Sequence, residues 1–137
     1  MNTSTAATLI HIAISMDSHN VDKRLLRLIA DSWLKQVKNE DVYTHKNIKR
    51  SIAAKDATKK NVKLEHVIPM KVLIEKLLAT KDLTPEKVDE ILHQFCVVMI
   101  ITKHEDALLD AKYKTSMPLG WNGTDVYARY TAVGIEF

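Results

Sequence analysis

Only two stretches of this chain strongly favour a β-strand, Asn61-Val-Lys-Leu-Glu-His-Val-Ile-Pro-Met70 and Phe95-Cys-Val-Val-Met-Ile-Ile-Thr102. Elsewhere the apolar residues recur at helical spacing, so a mainly α chain with a small two-stranded β element is expected, an α+β class. The first run reads as a strand over 62–68 stopped by Pro69. The second is apolar on both sides and β-branched, which predicts a buried strand over 97–101. Between them Pro69 suits the first turn of a helix buried by Val72, Leu73, Leu77 and Leu78. Thr84-Pro85-Glu86 then opens another, with Val88, Ile91, Leu92 and Phe95 as its apolar face. The two helices form an αα-hairpin between the strands.

Before the first strand, Ala6, Leu9, Ile10, Ala13 and Ile14 predict one helix, with Thr3 or Ser4 as its cap. A second is predicted by the stripe Leu25, Leu28, Ile29, Trp33 and Val37, flanked by Lys23, Arg24, Arg27, Lys35 and Lys38. Thr44 can cap a short helix carrying Ile48 and Ile52, with Lys46, Lys49, Arg50 and Lys55 outward. After the second strand, Thr102 and Glu105 have capping-box spacing, and the helix they open runs to about Tyr113. Asp125 or Thr124 can start a last short helix that Gly134 ends. A single domain over 1–137 is expected: a helical part over 1–60 with a basic second half, a strand–strand–helix unit over 61–113 interrupted by the hairpin, and a loop and short helix over 114–137.

Charge is uneven. From Asp22 to Lys63 twelve Lys/Arg stand against five Asp/Glu, while the remainder holds eight against twelve. A basic block on an acidic body is the footprint of a nucleic-acid partner, DNA or RNA, although lysines on helices also serve solvation alone. Cys96 is the only cysteine and sits in an apolar run, which excludes an internal disulfide and suits a reducing compartment. No stretch approaches about 18 uninterrupted apolar residues, and the first residues lack a basic n-region and a cleavage site. The expected protein is cytoplasmic, with no membrane partner. Its oligomeric state is not readable.

The residues able to do chemistry gather at the strand ends. Along the first strand His66 shares a face with Leu64 and Ile68, and Glu65 with Val67, so the two side chains diverge unless Pro69 bends the strand there. Their bland reading is a surface Glu beside a half-buried, hydrogen-bonded His. His104, Glu105 and Asp106 open the helix after the second strand, where an exposed helix-start His is equally natural. His93 and Cys96 have a two-ligand spacing that is weak without a second pair. In the tail, Trp121, Tyr127 and Tyr130 around Arg129 either stack on bases and hold a phosphate or plug the back of the core.

Glu65-His66-Val67-Ile68-Pro69 resembles the opening of the HNH, or ββα-metal, nuclease motif. The resemblance implies His66 as the general base activating water. It also implies a divalent ion (Mg, Mn, Ni or Zn) held by Glu65 and by His104, with Glu105 or Asp106 beside it. The family's asparagine between the two histidines has no counterpart from Pro69 to Thr102, and 38 positions separate His66 from His104. The expected function is therefore hydrolysis of nucleic-acid phosphodiesters, gripped by Lys46, Lys49, Arg50, Lys55, Lys59, Lys60 and Arg129. The alternative is a non-catalytic nucleic-acid-binding module, or a protein-interaction or inhibitor module.

Overall fold

Five consecutive apolar or β-branched residues make β3 (Val98–Thr102), in which Met99, Ile100 and Ile101 are fully buried. Burial on both faces of a strand requires a layer on each side, and this chain supplies two. The computed structural model describes residues 3–17, 19–38 and 48–137. Within them β3 is the middle of three strands, between β1 (Lys49–Arg50) and β2 (Val62–His66). β2 runs antiparallel to β3, from Val62 opposite Thr102 to His66 opposite Val98. β1 runs parallel to it, with Lys49 opposite Met99 and Arg50 opposite Ile100.

The sequence predicts two strands, and the third corrects that reading. Lys49 and Arg50 were expected on a helix capped by Thr44, a residue outside the described ones. They form a strand because β3 would otherwise bury an edge of unpaired amides and carbonyls. Ser51 extends the pairing, its N–H donating to Ile100 O at 3.0 Å. Its hydroxyl then caps α3 (Ile52–Lys55), accepting from Ala54 N at 3.2 Å.

β2 follows a 3₁₀ turn (Lys59–Asn61) and ends two residues earlier than predicted, at His66. Pro69 has no N–H to give the ladder and begins the turn into α4 (Met70–Ala79). α5 (Pro85–Phe95) opens as predicted, Thr84 Oγ1 accepting from Lys87 N at 3.1 Å. It packs back on α4 as the expected hairpin.

One face of the sheet carries Val62, Val98 and Ile100 into a core with Ile10, Leu26, Trp33, Leu73 and Leu92. Those partners come from α1 (Thr5–Met16), α2 (Lys23–Lys38), α4 and α5. The other face carries Met99 and Ile101 against Leu109 of α6 (Lys103–Tyr113), Tyr130 of α7 (Ala128–Val133) and Ile135. Gly134 stops α7 in the left-handed conformation at φ 79°, letting Ile135 N reach Tyr130 O at 3.0 Å.

The first two helices bury Ala6, Ile10, Ile14 and Trp33 of the expected stripes and turn Leu9, Leu25 and Leu28 outward. α2 turns Leu26, Ala30, Trp33 and Leu34 inward and leaves Leu25 and Leu28 exposed. α1 buries Ala6, Ala7, Ile10 and Ile14 and leaves Leu9 out.

Candidate functional site

Stopping β2 at a proline leaves the last carbonyls of the strand without ladder partners, and buried carbonyls need donors. Arg129 supplies them. The side chain, 2% exposed, brings its guanidinium from α7 beneath the strand end. Nη2 donates to His66 O at 2.6 Å and to Val67 O at 2.9 Å, and Nε to Val67 O at 3.2 Å. Nη1 donates to Tyr113 O at 2.9 Å, one of the carbonyls that the end of α6 leaves open. A buried cation also needs an anion, and Glu65 Oε1 lies 2.6 Å from Nη2. The second oxygen, Oε2, accepts from the Tyr130 hydroxyl. Burial pushes the Glu65 carboxyl above its usual range, and the donors Arg129 and Tyr130 oppose that rise. The Tyr130 hydroxyl is raised by burial and by the Glu65 carboxylate it serves.

His66 points through the opposite face of the sheet, as strand alternation requires. Its Nε2 stands 3.4 Å from Asp31 Oδ1 of α2, and its Nδ1 is buried with no hydrogen-bond partner. Burial lowers its proton affinity; Asp31 works against this and Arg129 adds to it. Neither nitrogen is both open to solvent and unengaged. The observed state matches the bland alternative for the histidine, half-buried and bridging α2 to β2. It overturns the surface reading of Glu65.

The helix-start residues serve the helix. Thr102 Oγ1 accepts from Glu105 N at 3.0 Å, and Glu105 Oε1 accepts from Thr102 N at 2.9 Å, completing the predicted capping box. The same oxygen accepts from Ser51 Oγ at 2.5 Å, so Glu105 is a buried joint between α3 and α6 and is not turned toward a ligand. His104 is exposed. It stands beyond Thr102 and His66 beside Val98, at opposite ends of a ladder roughly 13 Å long at about 3.3 Å per residue. Metal–ligand bonds are about 2 Å. Among the described residues no three His, Cys, Asp or Glu side chains gather to hold an ion. Between β2 and β3 the chain inserts α4 and α5, and α6 follows β3. The donors Glu65, His104 and Glu105 do not fit a divalent ion.

No protein-family model, curated protein or solved structure matches this chain. Among the described residues no helix is long and apolar enough to cross a membrane.

The other end of the ladder is different. Val62 opposite Thr102 brings the 3₁₀ turn and the start of α6 together. They enclose an open cleft of about 670 Å³ lined by Lys59, Lys60, Val62, Lys63, Lys103 and Asp106. Asp106 holds Lys63 at 2.9 Å, which raises the Lys63 ammonium above its usual range. Lys60 and Lys103 are exposed around it.

Of the residues expected to grip nucleic acid, Lys59 and Lys60 lie here and the others do not. Lys46 is outside the described residues. Lys49 sits over the Phe137 ring at 4.6 Å, Arg50 reaches Ala54 O at 3.4 Å, and Lys55 is exposed outside the cleft. Arg129 is buried, because two strand-end carbonyls and a carboxylate claim it. Lys63 closes the basic block expected to grip nucleic acid, and Lys103 is the cleft residue that the sequence reading missed. The register of the two strands, with Val62 opposite Thr102, is what brings this end of β2 close to the start of α6.

The remaining candidates are structural. Cys96 is buried, and burial, with some effect of Asp31, pushes its thiol up to about 12, which leaves it inert at neutral pH. His93 is exposed with its ring edge-on to Trp33 at 5.0 Å. Trp121 packs edge-on against Phe95 at 6.4 Å, and its Nε1 donates to Asp125 O at 2.8 Å. Tyr130 is fully buried, so these two rings plug the core.

Proposed function

We propose that this protein binds the phosphate backbone of nucleic acid without cleaving it, through the cleft between the 3₁₀ turn and the start of α6. The observation that carries the reading is the lining: four lysines against one aspartate around an open concavity. Ammonium groups act as point charges toward phosphate and read no sequence, so affinity is expected to be general and strongly salt-dependent. The first amides of α6 add a favourable dipole for an anion in the same place. The engagement of Glu65 by Arg129 and Tyr130, and of Glu105 by Ser51 and the Thr102 amide, favours the binding module over the hydrolytic reading.

The test is binding to labelled duplex and single-stranded oligonucleotides over a range of salt. Replacing Lys59, Lys60 and Lys103 together by Gln should weaken binding and reduce the slope of log K against log salt by about 2 to 3, at ~0.9 per duplex phosphate contact. A charge-matched control, Lys23, Lys71 and Lys114 all to Gln, should keep the wild-type slope. Equal slopes in the two triples, or no binding by the wild type, would overturn the reading.

A further inference from the structure

Five of the nine exposed large apolar side chains among the described residues lie on α1 and α2: Leu9, Ile12, Met16, Leu25 and Leu28. Positions 9, 12 and 16 share one helical face, and 25 and 28 another. The helices pack on each other, and Leu9 and Leu28 line one groove of about 200 Å³ together with Thr5, Ala6, Ile29 and Ser32. The patch is therefore continuous.

Its exposure is large. Met16 is 81% exposed, Leu28 67%, Ile12 48%, Leu9 47% and Leu25 45%. That leaves on the order of 500 Å² of largely apolar surface, near the upper end for the largest patch on a monomer. A standard-size specific interface buries about 800 Å² per partner, and at the roughly 65% apolar share of homodimer interfaces it calls for an apolar patch of about this size. The charge pattern selects the partner. α1 carries no Asp, Glu, Lys or Arg. A surface helix in water ordinarily shows charges on its outer face. The charged residues lie on α2, where Arg24, Asp31 and Lys35 flank Leu28 at one- and two-turn spacing and Arg27 and Lys23 stand farther round the helix. Two α1 helices can thus meet without burying a charge, while the α2 charges remain at a solvated rim.

We propose that this face joins two copies of the chain about a two-fold axis, α1 antiparallel to α1 of the other copy. Such an interface is self-complementary by symmetry. With the axis at the middle of α1, Ile12 of each copy lies against Leu9 of the other. Met16, long and flexible, enters the groove between Leu9 and Leu28. The inference is independent of the nucleic-acid reading.

Sedimentation equilibrium of the full chain tests it, run from micromolar to millimolar concentration. The expected result is a dimer of twice the 15.6 kDa chain mass. Met16→Glu and, separately, Leu28→Glu should weaken the dimer by at least about 100-fold, because each places two buried carboxylates in the interface. Both positions are exposed, so circular dichroism should be unchanged. As a second measurement, Ile12→Cys near the axis should form a disulfide-linked dimer on oxidation, whereas Ile52→Cys on α3 should not. A monomer at all concentrations overturns the proposal. So does a dimer that both Glu variants leave intact.

Discussion

At the Pro69 end of the β2–β3 ladder a guanidinium and a carboxylate are sealed against each other. At the Thr102 end four lysines surround open space. Arg129 and Glu65 have side-chain exposures of 2% and 12%, whereas Lys63, which has an ion-pair partner of its own, has 52%. Both ends have opposite charges within 3 Å. They differ in what water does. Where it is excluded, a charge is held by several partners and its removal damages the fold. Where it enters, the same chemistry contributes little to stability and stays available to a ligand. Ionisable residues near a strand end therefore mark a site only when burial leaves them free to act.

The widest separation between the two ends should come from Arg129→Met. It strands the Glu65 carboxyl and three backbone carbonyls, and breaking a buried pair of this kind costs roughly 3–5 kcal/mol. Urea unfolding should show that loss, while folded protein keeps its nucleic-acid affinity. The double variant Glu65→Leu with Arg129→Met should recover part of the stability by removing the lone carboxyl. It should remain below wild type, because the carbonyls of His66, Val67 and Tyr113 are still unserved. A single variant as stable as wild type, or one that lost nucleic-acid binding while folded, would return Arg129 to the ligand-gripping role read from the sequence.

Local signals were legible in the sequence, and contacts across the chain were not. Thr84-Pro85 and the Thr102–Glu105 box fix helix starts through bonds spanning three residues, and both form as read. The αα-hairpin and the buried β3 follow from spacing and β-branching alone. β1 was invisible because two residues, Lys49 and Arg50, become a strand only when a distant edge offers partners. Arg129 looked like a phosphate contact because all but one of its acceptors lie 62 to 64 positions earlier in the chain. The divergence of Glu65 and His66 was readable from strand alternation. What fills each face was not: Asp31 on one side, Arg129 and Tyr130 on the other. On α1 and α2 the periodicity located an apolar stripe but could not say which apolar side chains point inward.

A smaller effect is expected at His66, which lies at the sealed end but on the other face of the sheet. Its folded-state proton affinity is lowered, so the unfolded chain binds a proton more readily. The stability it contributes is fully present above the unfolded pKa of about 6.5 and is lost as the pH falls toward the lower folded value. Denaturation of wild type between pH 7.5 and 5, an interval chosen to span about 6.5, should show this acid limb, and His66→Gln should flatten it. The same pair of proteins checks the hydrolytic alternative. Nucleic-acid cleavage by wild type with Mg, Mn, Ni or Zn ions, abolished in His66→Gln, would make His66 the base and set aside the binding-only reading.

The smallest change in stability should be at the open end, and there the effect moves to the ligand. Asp106→Asn removes the carboxylate that holds Lys63, a surface pair worth at most about 1 kcal/mol. Unfolding should shift by no more than that. Within the cleft the consequence is opposite in sign. Lys63 is released, and the one carboxylate among the lining residues, Asp106, is gone, so a phosphate meets a more positive cleft. Nucleic-acid binding should tighten, and its salt slope should steepen by about 1, one further phosphate contact. If affinity fell instead, Asp106 would be positioning Lys63 for the ligand and not competing with it. The open end would then be organised by its ion pair much as the sealed end is by Arg129 and Glu65.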